Sequence, residues 1–131
     1  MDRDKLIAAS KSAMEHAHAP YSGFKVGAAV LGGSGKVYTG CNVENASYGL
    51  SICAERTAIL KAVSEGEKRI CAIAISNSSG KLAFPCGACR QVMAEFAPET
   101  VSMTIYLVSD QGVEEYPLAD LLPHAFGLPP E

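Results

Sequence analysis

Three cysteines and a glutamate have the types and spacing that metal-assisted chemistry requires. Cys53 is followed two residues later by Glu55, and Cys86 and Cys89 form a C-x-x-C pair further along the chain. A C-x-x-C pair alone fits a redox motif as well as half of a metal site. The third cysteine favours a zinc site with three protein ligands and one open coordination position, which is the arrangement of catalytic zinc.

The two cysteine clusters are each predicted at the N-terminus of a helix. Unpaired N–H groups and a partial positive charge at such ends lower the pKa of a thiol. We therefore expect thiolates, the ligand form of cysteine, at both clusters. Cys41 precedes a polar loop and Cys71 lies in an apolar run, so we expect both to pack as small apolar side chains.

Hydrophobic periodicity predicts the elements that position these residues. Apolar residues at helical spacing, with a short helix opened by the Pro-Cys pair, predict helices over residues 3–18, 52–65, 85–96 and 118–122. Short apolar runs predict strands over 26–31, 36–41, 70–76, 103–108 and 113–116. Ser51 is the predicted cap of the second helix and Gly66 its stop. Alternation of helices and strands indicates an α/β protein, and a leading hairpin makes its sheet mixed.

Length, composition and charge restrict the class of function. A chain of 131 residues with 48% hydrophobic and 19% charged residues predicts one globular domain spanning 1–131. A net charge of −3 provides no basic surface for a nucleic-acid polymer. We also expect no membrane partner, because no apolar run approaches the ~20 residues of a membrane span. Five cysteines, an odd number partly arranged as ligands, predict a cytoplasmic protein.

Five stretches of the chain carry a specific resemblance to a known family. Residues 20–29, 40–48, 53–58, 85–91 and 121–126 resemble the short, all-cysteine form of cytidine deaminase. The resemblance implies a three-layer α-β-α sandwich with a mixed five-stranded sheet, one Zn²⁺ per chain and a homotetramer. It also implies hydrolytic deamination of cytidine, and of 2′-deoxycytidine, in pyrimidine salvage. Zinc hydroxide would attack C4 of the base while Glu55 shuttles protons.

The same resemblance implies how a nucleoside would be bound. Phe24 would pack against the base, and Asn42 with Glu44 would bind a ribose hydroxyl. The backbone N–H of Ala54 would hold the base O2. The backbone carbonyl of Phe84 would accept from the exocyclic amine, although a small hydroxyl residue is common at that position. We therefore expect altered packing around Phe84 rather than lost chemistry.

Four further residues lie around this predicted site. By resemblance, Arg56 would donate to the thiolates and offset part of their negative charge. Tyr48 and Phe126 would help to close the pocket of a neighbouring subunit. The sequence leaves Arg90 undecided between a functional residue and an ordinary surface arginine.

Other functions remain open from the residues alone. The chain could deaminate another small aminopyrimidine nucleoside, or it could be a non-catalytic structural zinc module. A thiol redox protein would use Cys86 and Cys89 and would not need Cys53. An RNA or DNA editor is the least favoured alternative, given the net charge and the short chain.

Overall fold

The computed structural model describes residues 3–98 and 103–129 of the chain. Nine regular elements are present in this part, and a short 3₁₀ turn at Tyr48–Leu50 precedes the second helix. In chain order they are α1 (Arg3–Met14), β1 (Val26–Gly32), β2 (Val37–Cys41), α2 (Ala54–Ser64), β3 (Ile70–Asn77), α3 (Gly87–Phe96), β4 (Thr104–Ser109), β5 (Gly112–Pro117) and α4 (Leu118–Leu121).

The five strands form one mixed sheet in the order β2-β1-β3-β4-β5. The β1–β2, β1–β3 and β4–β5 pairs are antiparallel, whereas β3 and β4 run parallel with α3 between them in sequence. The expected mixed five-stranded sheet is confirmed. Because β3 is flanked by strands on both sides and covered on both faces, its residues are almost all buried, as its uninterrupted apolar run predicts.

Helices cover both faces of the sheet and produce three layers. On one face, Leu6 and Ile7 of α1 pack with small residues of the sheet such as Ala29. On the other face, α2 and α3 share the larger core, to which β3 contributes Ile73 and Ile75. The expected α-β-α sandwich is therefore confirmed, and it places the N-termini of α2 and α3 on the same side of the sheet.

Two glycines allow helices to lie directly against the leading hairpin. A Cβ atom at Gly27 of β1 would lie 2.1 Å from the backbone oxygen of Ser10 in α1. A Cβ atom at Gly40 of β2 would lie 2.5 Å from the backbone nitrogen of Ala58 in α2. Real Cβ atoms do not approach so closely, so any side chain here would push its helix off the sheet.

Two details of the first two helices differ from the sequence predictions. α1 ends at Met14 rather than at residue 18, because the backbone of His18 pairs instead with Val43 in a parallel bridge. The cap of α2 is Cys53 rather than Ser51. Ser51 follows the 3₁₀ turn, and its hydroxyl accepts a hydrogen bond from the Asn45 N–H. The predicted stop is confirmed, since Gly66 has a φ of 108° just beyond α2.

Across residues 3–98 and 103–129, no helix combines the length with the apolar character needed to cross a membrane.

Candidate active site

Three cysteine side chains converge where α2 and α3 begin. Cys53 is the N-cap residue of α2, Cys86 is the N-cap residue of α3, and Cys89 lies in the first turn of α3. Their three sulfur atoms all lie within 4.8 Å of one another, and those of Cys53 and Cys86 are 3.9 Å apart. The fold therefore brings together the three thiols that the sequence predicts as ligands.

The geometry of the three thiols fits a zinc ion. Two sulfurs bound to one tetrahedral zinc at the usual Zn–S distance are about 3.8 Å apart, close to the observed Cys53–Cys86 separation. Within residues 3–98 and 103–129, no other histidine, cysteine, aspartate or glutamate joins the cluster. Three sulfur donors without a fourth side chain leave one coordination position for solvent or substrate.

Cys53 and Cys89 differ in their affinity for a proton. The pKa of Cys53 is lowered to about 5, chiefly by a hydrogen bond from the Cys89 thiol and further by Arg56. The pKa of Cys89 is raised, first by that same hydrogen bond and then by burial and the Glu55 charge. Negative charge on the Cys53 sulfur thus favours the protonated form of the neighbouring Cys89 thiol. A divalent cation would relieve this repulsion.

Arg56 provides positive charge next to the cluster. One guanidinium nitrogen, Nη2, donates to the sulfur of Cys53 at 3.4 Å. The contact with Cys53 also raises the pKa of Arg56, so the guanidinium stays protonated. Its Nε atom is buried and finds no hydrogen-bond partner among the described residues. Arg56 therefore lies where it can offset negative charge on the sulfurs.

Glu55 lies in the first turn of α2, beside the cysteine cluster. Only 5% of its surface is exposed, and this burial is the main reason why its pKa is raised. The negative charge of Cys53 raises it further. A buried carboxyl group with a raised pKa accepts a proton more readily than an exposed glutamate, as a general base requires.

A pocket of about 240 Å³ opens onto Glu55 and two of the thiols. It is smaller than the roughly 300–1,000 Å³ of pockets for drug-sized ligands, so it suits a single small ring. Four of the predicted substrate-binding residues line it. The lining consists of Phe24, Val26, Asn42, Cys53, Ala54, Glu55, Ile75, Ala83, Phe84 and Cys86, of which Val26, Ile75 and Ala83 were not predicted.

Asn42 fastens the segment that carries Phe24. Its side-chain Nδ2 donates to the backbone carbonyl of Phe24 at 2.8 Å, and its Oδ1 accepts from the Val26 N–H at 2.9 Å. An amide nitrogen carries two hydrogens, so one N–H of the Asn42 side chain is not used in these contacts.

Glu44 lines a second pocket, together with Tyr48, rather than the pocket that contains Asn42. One carboxylate oxygen accepts from the backbone N–H groups of Tyr21 and Ser22, and the other accepts from the Ser22 hydroxyl. The Ser22 hydroxyl is the main reason why the pKa of Glu44 is lowered. A carboxylate has about four acceptor positions, so one of them remains for a ligand.

The remaining predicted residues lie at the surface. Tyr48 is 77% exposed and Phe126 is 68% exposed, and neither lines the pocket that contains Glu55. Phe84 lines this pocket while its ring packs against Tyr116 of β5, with the ring centroids 5.4 Å apart. The aromatic side chain of Phe84 thus has a packing partner outside the pocket.

The contacts of Arg90 were not foreseen from the sequence. Its Nε donates to the backbone carbonyl of Pro85 at 2.7 Å, and its Nη1 donates to the carbonyl of Leu121 at 2.6 Å. The only signal in the sequence is that Arg90 follows Cys86 by four residues and so shares its side of the helix. No pattern in the sequence predicts the hydrogen bond to Leu121, which spans 31 residues.

Comparisons with known proteins agree with this geometry. The family described as "Cytidine and deoxycytidylate deaminase zinc-binding region" matches residues 1–105, which contain all three clustered cysteines. The chain is 51% identical to the cytidine deaminase of Sporosarcina psychrophila over 96% of this chain and 92% of that protein. It is 50% identical to the cytidine deaminase of Halalkalibacterium halodurans, over 96% and 95%.

Solved structures give the same result. The crystal structure of cytidine deaminase from Burkholderia pseudomallei is similar with a TM-score of 0.88 and 48% identity, over 96% of this chain and all of that chain. The crystal structure of cytidine deaminase from Mycobacterium tuberculosis has a TM-score of 0.83 and 41% identity, over 98% and 99%.

Proposed function

Because the chain belongs to the family of cytidine and deoxycytidylate deaminases, we propose that it is a zinc-dependent enzyme that hydrolyses cytidine to uridine and ammonia. We extend the proposal to 2′-deoxycytidine, which differs only in the sugar. The observation that carries it is the position of Glu55, which is buried at a small pocket beside three thiols suited to zinc.

Proton movement falls to Glu55 in this proposal. Zinc, when bound by the three sulfurs, supplies the Lewis acidity that makes a water nucleophilic near neutral pH. Glu55 takes a proton from the water that adds to C4 and delivers protons to ring N3 and to the departing amine. The water oxygen becomes the C4 oxygen of uridine, one of its protons remains on N3, and the other leaves with ammonia.

The base would lie between Phe24 and the start of α2. Ala54 is the first residue of α2, so its backbone N–H has no partner within the helix and can donate to the base O2. The carbonyl of Phe84 would accept from the exocyclic amine, which distinguishes cytosine from uracil. Apolar contact with Phe24 favours a flat ring without selecting its edge.

Asn42 and Glu44 would bind a ribose hydroxyl from two sides. The free amide hydrogen of Asn42 can donate to the hydroxyl oxygen, and the free acceptor position of Glu44 can take its proton. The lowered pKa of Glu44 keeps it ionised for this contact. Its charge would repel a 3′-phosphate, which favours a free nucleoside over a polynucleotide.

The finer features of the proposal concern assembly and cellular role. Tyr48 and Phe126 are large exposed side chains that do not line the pocket of Glu55, although Tyr48 lines the pocket of Glu44. Their exposure supports a homotetramer in which they cover a neighbour's pocket. We propose a role for the single domain in pyrimidine salvage. A reducing cytoplasm would keep its thiols available for zinc.

An absorbance assay tests the proposed function. Purified zinc-loaded protein should convert cytidine and 2′-deoxycytidine to their uracil counterparts, with one ammonia released per nucleoside consumed. Cytidine 3′-phosphate and a cytosine-containing oligonucleotide should be poor substrates. A protein that holds one zinc per chain but releases no ammonia from either nucleoside would instead be a structural zinc module, and the proposal would fail.

A further inference from the structure

Arg90 joins two parts of the chain that are distant in sequence. Its guanidinium donates through Nε to the carbonyl of Pro85 and through Nη1 to the carbonyl of Leu121. The two bonds are 2.7 Å and 2.6 Å long, and a charged donor makes hydrogen bonds shorter than a neutral one does. Both acceptors are neutral backbone carbonyls, so these contacts position the backbone rather than neutralise charge.

One end of this connection lies directly before a metal ligand. The carbonyl of Pro85 belongs to the peptide bond that leads into Cys86. Fixing that peptide plane restricts the backbone of Cys86 and therefore where its sulfur can lie. The backbone N–H of Arg90 also donates to the Cys86 carbonyl at 3.0 Å, so Arg90 holds the ligand residue at both of its peptide groups.

The other end lies in the C-terminal segment, residues 118–126. Leu121 is the last residue of α4, and Arg90 satisfies its carbonyl, which has no partner within so short a helix. Beyond α4, His124 has a φ of 54°, an uncommon value for a residue other than glycine, and the chain turns back toward α3. There the side-chain Nε2 of Gln91 donates to the carbonyl of Phe126 at 3.0 Å.

We infer that Arg90 is a positioning residue that connects α4 to the peptide before Cys86, so that retention of zinc depends on this connection. Gln91 has a separate task, which is to hold the backbone at Phe126. The inference rests on the proposed function only for the identity of the metal and for the role of Phe126. The contact with Leu121 and the contact with Phe126 can be removed separately, because Arg90 makes the first and Gln91 makes the second.

The test compares three variants in zinc-loaded protein. Arg90→Met removes every donor while keeping similar bulk, Arg90→Lys keeps the charge but loses the two-pronged geometry, and Gln91→Met removes only the contact with Phe126. The measurements are the rate at which an excess of a colorimetric chelator removes zinc, the thermal midpoint, and kcat and KM for cytidine. Absorption of the cobalt-substituted protein reports the geometry of the metal–thiolate bonds.

Arg90→Met should release zinc about tenfold faster than the wild type or more, with a changed cobalt–thiolate spectrum. Arg90→Lys should lie between Arg90→Met and the wild type. Gln91→Met should release zinc at the wild-type rate and show a raised KM. Zinc release and a cobalt spectrum like those of the wild type in both Arg90 variants, even with a lowered thermal midpoint, would overturn the inference.

If Arg90→Met does not fold, Arg90→Lys decides the matter by the same two measurements. Zinc release and the cobalt spectrum require no turnover. An inactive wild-type protein would therefore contradict the proposed function, whereas the zinc measurements on the Arg90 variants would remain valid.

Discussion

Cys53 and Cys86 occupy the same position in two different helices: each is the N-cap residue, and their sulfur atoms lie 3.9 Å apart. Both helices pack on one face of the sheet, so the separation of the sulfurs is determined by the core between α2 and α3 rather than by a flexible loop. A metal site built in this way is formed largely before the metal arrives, which reduces the conformational cost of binding.

Removing a single ligand should therefore empty the site without unfolding the chain. Cys86→Ala is expected to lower the zinc content from about one per chain to a small fraction, because two sulfur ligands bind zinc too weakly to retain it during dialysis. Elemental analysis after dialysis measures this. Cys41→Ala removes a half-buried thiol outside the cluster and is the matched control. Full zinc content in Cys86→Ala would place the metal elsewhere.

Arg56→Gln should lower the catalytic rate without lowering the zinc content. The substitution removes the cation that contacts Cys53 but leaves all three ligands in place. Without it the sulfurs donate more negative charge to zinc, so kcat should fall by about 10–100-fold while zinc content stays near one per chain. Arg69→Gln, at an exposed arginine after α2, is the control. Unchanged kcat in Arg56→Gln would exclude this electrostatic role.

Ser22→Ala should shift the pH dependence of nucleoside binding. The Ser22 hydroxyl lowers the pKa of Glu44, so Glu44 stays ionised below the ordinary glutamate value of about 4.3. As the pH falls through the pKa of Glu44, its carboxylate is protonated, so the proposed contact with the ribose should be lost and KM should rise. Without the hydroxyl that pKa increases, so KM should begin to rise at a higher pH than in the wild type.

The measurement is KM for cytidine against pH in the wild type, in Ser22→Ala and in Ser12→Ala, which alters an exposed serine on α1. Ser12→Ala should follow the wild type. Identical pH profiles for all three proteins would show that Glu44 does not contact the substrate in its ionised form.

A second carboxylate affects stability rather than binding. Glu67 is buried, and its carboxylate accepts hydrogen bonds from the backbone N–H and the hydroxyl of Ser34 and from the hydroxyl of Tyr38. These three bonds attach the β1–β2 turn to the chain after α2. The Ser34 hydroxyl is the main reason why its pKa is lowered. A carboxylate with a lowered pKa stabilises the fold above the ordinary glutamate value, about pH 4.3, and loses that effect as the pH falls through its own pKa.

Glu67→Gln should therefore lower the thermal midpoint at neutral pH, and the difference from the wild type should shrink once the pH falls below about 4. Thermal unfolding followed by circular dichroism at a series of pH values measures this. Glu15→Gln, at an exposed residue just beyond α1, should match the wild type throughout. A difference that is the same at every pH would mean that the charge of Glu67 has no part in its contribution.

Local patterns in the sequence were sufficient to predict an α/β protein with a mixed sheet and to place the cysteine clusters at helix starts, whereas the three-layer sandwich was implied by the family resemblance. The Pro85–Cys86 pair and the apolar spacing after it predicted where α3 begins, and the structure places Cys86 at its N-cap. Both signals lie within a few residues of the feature they predict, as helix-start signals do.

Contacts between distant segments were not predictable in the same way. α1 was predicted to reach residue 18, but the backbone of His18 pairs with Val43, and no local pattern reports such a bridge. Ser51 is a better capping residue than Cys53 by composition, yet Ile52 pairs with Val43 and keeps the chain extended until Cys53. The bond from Arg90 to Leu121 spans 31 residues and required the structure.

The most direct test of the account is the activity and zinc content of Glu55→Gln, measured on the same preparation. The amide keeps the size of the side chain but cannot accept and return a proton. We expect about one zinc per chain and a kcat for cytidine about 10²–10⁴-fold below that of the wild type, the usual contribution of a general acid–base group. A variant that retains zinc and deaminates cytidine at the wild-type rate would contradict the assignment of Glu55 and the mechanism built on it.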